Sequence, residues 1–324
     1  LGIIRPSAHM NATFSKNQAR PGKLALVSQS GAMCTAILDW AEARNIGFSA
    51  VVSIGEATDV GFGDVLDYLS MDPQTSSILV YIEGIRNARG FMSGLRVASR
   101  MKPVVVIKSG RHEAGSKAAM SHSGALVGRV DVFEAALDRA GVVRANNITQ
   151  LFSTAEILAS GHRANYDRLV FLTNGGGPGV MAADRAQDLG IQVPELAPET
   201  ITKLNKAIPP NWSNGNPIDI LGDADAERYI SAMKIALNDP DADGLLVMLT
   251  PQAMTDPTEI ARQVIAMSKK AKKPVMACWM GEQLVNEARQ LFDKAGIPNY
   301  RAPEQAVEAF ANLATYRRNQ KLLM

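Results

Sequence analysis

The sequence has little of what secreted or membrane proteins depend on. Its 2 cysteines, Cys34 and Cys278, lie far apart and in no CxxC or other metal-ligand spacing. Such usage favours free thiols in a reducing compartment. No apolar run approaches the ~18 residues of a membrane span, and no signal-peptide pattern is visible. We therefore expect a cytoplasmic protein without disulfides and without a membrane partner.

Charge of one sign is also lacking. The chain has 34 basic and 32 acidic residues, for a net charge of +2. The densest basic stretch, Lys269–Lys273, precedes a strand-like segment and is typical of a solvated helix end. This balance argues against a nucleic-acid partner, which calls for a basic patch or stripe.

Short apolar segments alternate with helix-like segments along most of the chain. Strands are predicted at 24–27, 51–54, 78–82, 103–108, 169–173, 218–221, 245–249 and 274–279, and helices at 32–44, 62–70, 91–100, 180–189, 229–237 and 258–268. This alternation is typical of parallel sheets with both faces covered, and 324 residues suffice for about two domains. We predict an α/β fold of two doubly wound domains, preceded by an extended lead-in over residues 1–22.

Matching dipeptides indicate that one unit is duplicated. Asp72-Pro73 matches Asp239-Pro240 at an offset of 167 positions (239 minus 72), and Lys102-Pro103 matches Lys273-Pro274 at 171 (273 minus 102). Matching Gly31 to Gly177 gives only 146, so the second half has about 21 additional residues, which we place within 194–216.

A second change of offset falls in the first half. Gly110 matches Gly281 at 171 positions, but Ala140 matches Ala295 at only 155 (295 minus 140), so the first half has 16 additional residues after Gly110. They follow the carboxyl end of a predicted parallel strand, where such sheets bind ligands, and they include His122.

Two strand-to-helix turns are candidate anion sites. The first, SQSG, has Ser28, Ser30 and Gly31; the second, NGGGPG, has Gly175, Gly176, Gly177 and Gly179. The first N–H groups of a helix have no internal partner and lie at the positive end of its dipole, so they suit a phosphoryl group. Ser30 is equally suited to a simple N-cap. Neither turn is a GxGxxG or Walker A motif.

His122 is the candidate nucleophile. Its neighbours Ser121, Ser123 and Gly124 are small, which leaves the imidazole accessible, whereas His9, His112 and His162 suit surface or core roles. A neutral imidazole is nucleophilic near pH 7 and is oriented by the partner of its second nitrogen. Glu83 follows the strand at 78–82, so it is expected at the same sheet edge and is the candidate partner.

These segments resemble the succinyl-CoA-ligase-like part of the NDP-forming acyl-CoA synthetases. The resemblance covers nearly all of the chain and is carried by LGIIRP, VSQSGAM, SIGEATDVGFGDVLDYL, DPQTSSILVYIEGIRN, KAAMSHSGALVG, NGGGPGVMAADRAQDLG and NPIDILGDAD. It implies two flavodoxin-like domains at 22–164 and 165–324, after a lead-in at 1–21 from a CoA-binding domain. It also implies that His122 is the phosphorylated histidine and Glu83 its partner.

The resemblance implies a reversible ligase reaction. Acyl-CoA and phosphate give an acyl phosphate, which phosphorylates His122, and the phosphoryl group then passes to ADP. The complete CoA-binding domain and the ATP-grasp domain are expected in cis or on a second subunit, because these residues do not contain them. CoA, ATP or ADP, Mg²⁺ and a small acyl substrate are therefore expected for the parent enzyme, and no cofactor for this part alone. A homo-oligomer is left open.

Two alternatives compete with a working ligase. Similar regions are fused to GNAT-type lysine acetyltransferases, where the ligase part is regulatory, but the presence of His122 and Glu83 favours the ligase. A flavodoxin-like binding module without covalent chemistry is the other alternative.

Overall fold

The computed structural model describes residues 1–16, 18–42, 44, 46–115, 117, 130–159 and 167–323. The chain divides into two compact units. The first comprises Leu1–Ala159 together with Arg318–Met324, and the second comprises Ser160–Arg317. The final helix, which the sequence-based division assigned to the second domain, thus contributes its last residues to the first unit.

Seven strands form the sheet of the first unit. They are β1 (Gly2–Arg5), β2 (Met10–Thr13), β3 (Pro21–Ser28), β4 (Phe48–Ser53), β5 (Ser77–Ile82), β6 (Val104–Lys108) and β7 (Val143–Ala145). The described helices of this unit are α1 (Gly31–Glu42), α2 (Phe62–Met71), α3 (Ala88–Met101), α4 (Val130–Ala140) and α5 (Ile148–Ala159). The order in the sheet is β2-β1-β4-β3-β5-β6-β7, parallel from β4 onward.

The beginning of the chain belongs to this sheet, which corrects the expectation of an extended lead-in. Strands β1 and β2 form an antiparallel hairpin, and β1 adds to β4 with Ile3 opposite Val52 and Ile4 opposite Val51. Ile4 is buried by this pairing. Four-residue strands are too short for periodicity to reveal them, and β1 joins the sheet through β4, about 50 residues away.

The second unit repeats the same strand order. Its strands are β8 (Leu169–Thr173), β9 (Ile218–Asp219), β10 (Gly244–Leu249), β11 (Val275–Trp279) and β12 (Asn299–Tyr300). Its helices are α6 (Gly176–Asp188), α7 (Pro198–Ala207), α8 (Ala226–Leu237), α9 (Pro257–Ser268), α10 (Asn286–Ala295) and α11 (Pro303–Leu323). The parallel order β9-β8-β10-β11-β12 matches β4-β3-β5-β6-β7, and both are the flavodoxin-like order 2-1-3-4-5.

The duplication is confirmed, with one register correction. Helix α1 begins at Gly31 and α6 at Gly176, so the offset is 145 positions (176 minus 31) and Gly31 matches Gly176, not Gly177. The additional residues of the second half contain α7. Lys102 and Lys273, which match each other, both hydrogen-bond main-chain oxygens at the matching positions Asp72 and Asp239. Lys273 is therefore not part of a solvated helix end.

Buried strands form the core of each unit. All described residues of β8, β10 and β11 are buried, as are most of β5 and β6. Each large apolar side chain removed from water contributes roughly 1.5–3 kcal/mol, which favours parallel strands covered on both faces. In the parts of the chain that are described, no helix combines the length and the apolar character needed to cross a bilayer.

Candidate functional site

The first turn joins β3 to α1. The Ser30 hydroxyl accepts from Met33 N at 3.2 Å, so Ser30 is the N-cap of α1, as one of the two sequence interpretations has it. The buried Ser28 hydroxyl accepts from Ser30 N at 3.0 Å and donates to Ser30 O at 2.9 Å. Ser28 thus fixes the shape of the turn, and the partly exposed Ser30 and Gly31 lie at the positive end of the helix.

Gln29 connects this turn to the end of the neighbouring strand β5. Its side-chain oxygen accepts from Glu83 N at 2.6 Å and from Gly84 N at 2.9 Å, and its own N donates to Tyr81 O at 3.2 Å. Glu83 is partly exposed. The helix start and Glu83 are therefore brought to one sheet edge, as the parallel arrangement predicts.

Lys108, the last residue of β6, holds the other side of the same segment. Its ammonium donates to Glu83 O at 2.8 Å and also to Ser109 O. Burial lowers the pKa of Lys108, and the nearby negative charge of Glu83 acts in the opposite direction. The pKa of Tyr81 is raised, chiefly by burial and further by Glu83, while a hydrogen bond with Ser109 acts against the rise.

A small cavity next to Lys108 has a basic lining. Arg111 and Arg144 line it, with Glu134 and the apolar side chains of Val130 and Phe133. Arg144 forms an ion pair with Glu134, and Arg111 donates to Asn146 Oδ1 at 2.8 Å. Burial, and after it the positive charge of Arg111, lower the pKa of Arg144.

The second unit builds its turn in the same way. The Thr173 hydroxyl accepts from Gly175 N at 3.2 Å and donates to Gly175 O at 2.9 Å, which repeats the contacts of Ser28 with Ser30. Helix α6 then begins at Gly176, and Gly176 and Gly177 are exposed. A Cβ at Gly177 would meet nothing within 4 Å, so a ligand could approach its backbone without obstruction. Gly179 instead packs against Pro217.

Asn174 takes the place of Gln29 in the second unit. It accepts from Thr250 N at 2.8 Å and donates to Thr250 O at 2.9 Å, and Thr250 follows β10 as Glu83 follows β5. A carboxylate beside the start of α6 is that of Asp219, whose Oδ2 lies 3.4 Å from the position of a Cβ built on Gly176. Sequence reasoning missed Gln29, Lys108, Asn174 and Asp219, although their positions at strand ends could have indicated them.

The remaining predicted site residues, His122, Ser121 and Ser123, lie outside the described residues. Their proximity to Glu83 stays a prediction, as do the phosphate-binding roles of Ser28, Ser30, Gly31, Gly175, Gly176, Gly177 and Gly179. In the first unit the structure brings together the start of α1, Glu83 and Lys108; in the second it brings together the start of α6, Thr250 and Asp219.

Family models match both units. The model of the succinyl-CoA ligase like flavodoxin domain matches residues 21–158, and that of the ligase-CoA domain matches residues 169–323. The chain is 40% identical over 98% of its length to an acetate–CoA ligase (ADP-forming) I of Archaeoglobus fulgidus, of which it spans 45%. It is 38% identical over 96% of its length to the alpha subunit of acetate–CoA ligase (ADP-forming) I of Pyrococcus furiosus, of which it spans 68%.

A solved structure supports the same assignment. The dinucleotide-forming acetyl-coenzyme A synthetase 1 of Candidatus Korarchaeum cryptofilum, solved in complex with phosphate and ADP, aligns with a TM-score of 0.93 and 35% identity. The alignment covers 100% of this chain and 70% of that one. The chain thus spans less than half of one relative and about two thirds of the others. With two family models, full-length similarity and a shared fold in agreement, the chain belongs to the NDP-forming acyl-CoA synthetase family and corresponds to its succinyl-CoA-ligase-like domains.

Proposed function

We propose that the chain is the ligase portion of an ADP-forming acyl-CoA synthetase and carries a phosphoryl group on His122. The observation that supports this best is the edge of the first sheet. There the Gln29 side chain, in the turn that begins α1, accepts from the main chain of Glu83, so the positive end of a helix and residue Glu83 adjoin one site. A helix N-terminus stabilises phosphoryl oxygens, and a carboxylate orients the imidazole that attacks phosphorus.

The proposed reaction has three balanced steps. Phosphate attacks the acyl carbon of acyl-CoA, forming the acyl–oxygen bond and releasing CoA as the thiol. The imidazole of His122 then attacks the phosphorus of the acyl phosphate, and the phosphorus–oxygen bond to the acyl group breaks, which releases the acid. Finally ADP attacks the phosphohistidine, which gives ATP and restores the imidazole. Glu83 holds the proton on the second imidazole nitrogen throughout.

The proposal requires domains that bind CoA and the nucleotide, in cis or on a second subunit. Its support is that the alpha subunits and the single-chain relatives are longer than this chain. The main-chain nitrogen of Leu1 lies 3.3 Å from Ser53 Oγ, at the carboxyl end of β4. Any domain preceding Leu1 would therefore join the chain beside the proposed site. We assign no Mg²⁺ ligand, since the described residues include no cluster of three His, Cys, Asp or Glu residues.

Labelling of the full-length protein tests the proposal. The protein, with its second subunit if it has one, is incubated with γ-³²P-labelled ATP and Mg²⁺. We expect a base-stable, acid-labile label that is lost in His122→Ala and discharged by ADP. His112→Ala is the control, because His112 is exposed and should leave the label unchanged. Absence of the label from the wild type, or its persistence in His122→Ala, contradicts the proposal.

A further inference from the structure

Glu83 is held through its main chain from two sides. The Gln29 side-chain oxygen accepts from Glu83 N at 2.6 Å and from Gly84 N at 2.9 Å. The Lys108 ammonium donates to Glu83 O at 2.8 Å. None of these hydrogen bonds uses the Glu83 carboxylate, so neither Gln29 nor Lys108 occupies it through these contacts.

We propose that Gln29 and Lys108 are positioning residues that fix the backbone of Glu83 so that its carboxylate can orient the phosphoryl-accepting imidazole. The inference rests on the proposed function. It extends that function because neither residue touches the reacting atoms, and each acts only through Glu83. A displacement of about 1 Å at a catalytic group can cost on the order of 100-fold in rate, so a segment that follows a strand end benefits from being fixed.

Both residues contact the Glu83 segment at the point where it leaves the sheet. Gln29 accepts from, and Lys108 donates to, main-chain groups that follow the end of β5 at Ile82. Without these side chains, those main-chain groups would hydrogen-bond to water. Gln29 also lies in the turn that begins α1, so one side chain sets the distance between the helix start and Glu83. Lys108 is placed by β6, next to β5 in the sheet.

The second unit shows that the amide contact is a property of the repeated fold, whereas the carboxylate is not. Asn174 makes two hydrogen bonds to the main chain of Thr250, the counterpart of Glu83. The shorter amide there contacts the main chain of one residue, with its nitrogen also 3.5 Å from Thr255 Oγ1, whereas Gln29 contacts the main chain of two. The lysine has no such counterpart, because the last residue of β11 is the buried Trp279. The lysine contact therefore occurs in the unit that has a glutamate, Glu83, at this strand end.

Lys102 provides a matched control. Its ammonium also donates to two main-chain oxygens, those of Leu69 and Asp72, and burial lowers its pKa as it does that of Lys108. It lies after α3, before β6 begins, at the opposite end of that strand from Lys108. Loss of Lys102 therefore removes an equivalent structural contact without touching the Glu83 segment.

The experiment measures kcat and KM for ADP and acyl-CoA with the full-length protein carrying Gln29→Leu, Lys108→Met or Lys102→Met, together with the melting temperature of each. We expect Gln29→Leu and Lys108→Met to lower kcat about 10- to 100-fold with KM nearly unchanged. Lys108→Arg, which keeps a cationic donor, should recover most of the loss. Lys102→Met should lower the melting temperature about as much as Lys108→Met while leaving kcat near the wild-type value.

A double variant keeps the test independent of stability. If Gln29 acts through Glu83, then adding Gln29→Leu to Glu83→Gln should lower kcat no further, since residues that act as a unit are not additive. The positioning role is overturned if the losses of kcat in Gln29→Leu and Glu83→Gln multiply in the double variant. It is also overturned if Gln29→Leu and Lys108→Met have the same kcat as Lys102→Met. Either outcome leaves the phosphohistidine proposal intact. A wild-type protein without label on His122 overturns the proposed function and this inference together.

Discussion

The two units have the same strand-to-helix turn but place different side chains beside it. In each, a hydroxyl at the end of a central strand, that of Ser28 or Thr173, accepts from the main-chain nitrogen two residues later. The amide side chain of the residue between them, Gln29 or Asn174, hydrogen-bonds to the end of the neighbouring strand. The amide meets Glu83 in the first unit and Thr250 in the second. The fold therefore supplies two similar helix starts, whereas the carboxylate at that strand end, and the lysine that donates to the main-chain oxygen of Glu83, belong to the first unit.

This difference shows what a duplicated fold does and does not repeat. The backbone turn recurs because any strand-to-helix connection must satisfy the same N–H and C=O groups. The side chains that could perform chemistry are free to differ, because they lie beyond the buried strands. In the second unit the carboxylate beside the start of α6 belongs to Asp219, the last residue of a different strand, β9.

The largest expected effect distinguishes the two strand ends directly. Glu83→Gln removes the charge that we propose orients the nucleophile, and we expect turnover of the full-length enzyme to fall about 10²- to 10⁴-fold. Thr250→Val, at the matching position, keeps the main-chain bond to Asn174 and should lose less than about tenfold. Similar losses in both variants would show that the two ends contribute equally. Steady-state kinetics with ADP as the varied substrate measures both.

Glycine packing gives a second contrast, in stability. Gly94 lies in α3 where this helix packs against α2. A Cβ built on Gly94 would lie 2.7 Å from the main-chain oxygen of Gly63 in α2, which cannot move without its backbone. We expect Gly94→Ala to destabilise the protein by about 1–3 kcal/mol. In Gly179→Ala the nearest atom is Pro217 Cβ at 3.0 Å, so the approach is less close and the strain is smaller, while the gain in helix propensity applies to both variants because both glycines lie in helices. Calorimetric melting should therefore show the larger shift for Gly94→Ala, and the reverse order contradicts this packing.

An acid-stability test sharpens the comparison at the opposite sheet edge. Burial alone would raise the pKa of Asp72, but hydrogen bonds from Thr75 and Gln74 and the charges of Arg5 and Lys102 outweigh it, so the pKa is lowered. A lowered pKa contributes stability above the unfolded value of about 3.9, and this is lost as the pH falls through the folded value. Asp72→Asn should thus be less stable than the wild type at pH 6, with the difference shrinking as the pH falls through the lowered pKa of Asp72.

Denaturation midpoints at several pH values measure the Asp72 effect. Asp138→Asn, which changes an exposed carboxylate, is the control and should follow the wild type throughout. A constant difference between Asp72→Asn and the wild type at every pH would mean that the charge of Asp72 is unimportant.

The smallest effect concerns the thiols, one in each unit. Burial raises the pKa of Cys278 to about 12 and also raises that of Cys34, so both remain neutral and unreactive near pH 8. We expect no alkylation by iodoacetamide in the native protein and modification of both thiols in denaturant. Mass spectrometry of the digested protein measures this. Native labelling of Cys34 alone would indicate that α1 opens more readily than β11.

Much of the fold was predictable because the strands are short, apolar and separated by helices of clear period. The Asp-Pro and Lys-Pro pairs located the duplication, and the change of offset located the additional residues, although it did not predict that they contain α7. The glycine match was wrong by one residue because three consecutive glycines carry no register information, which the contact between Thr173 and Gly175 supplies. The hairpin of β1 and β2 was missed because its strands are only four residues long, and its place in the sheet was missed because β1 pairs with β4, far along the chain.

The candidate site was predictable in its location but not in its details. Glu83 and the start of α1 follow from the rule that parallel strands end at one edge. The contacts of Gln29 and Lys108 with the Glu83 main chain could not be predicted, since a glutamine or lysine at a strand end is equally suited to solvent. The placement of His122 stays a prediction.

By itself, the sequence determined the class of the fold, its duplication and the family, because apolar periodicity and motif spacing are local properties of the chain. Only the tertiary structure decided which polar side chains hold one another across neighbouring strands. Such contacts join residues that are 25 to 76 positions apart, as for Lys108 with Glu83 and Asn174 with Thr250. Their existence depends on strand order and register, which bring these side chains within hydrogen-bond reach.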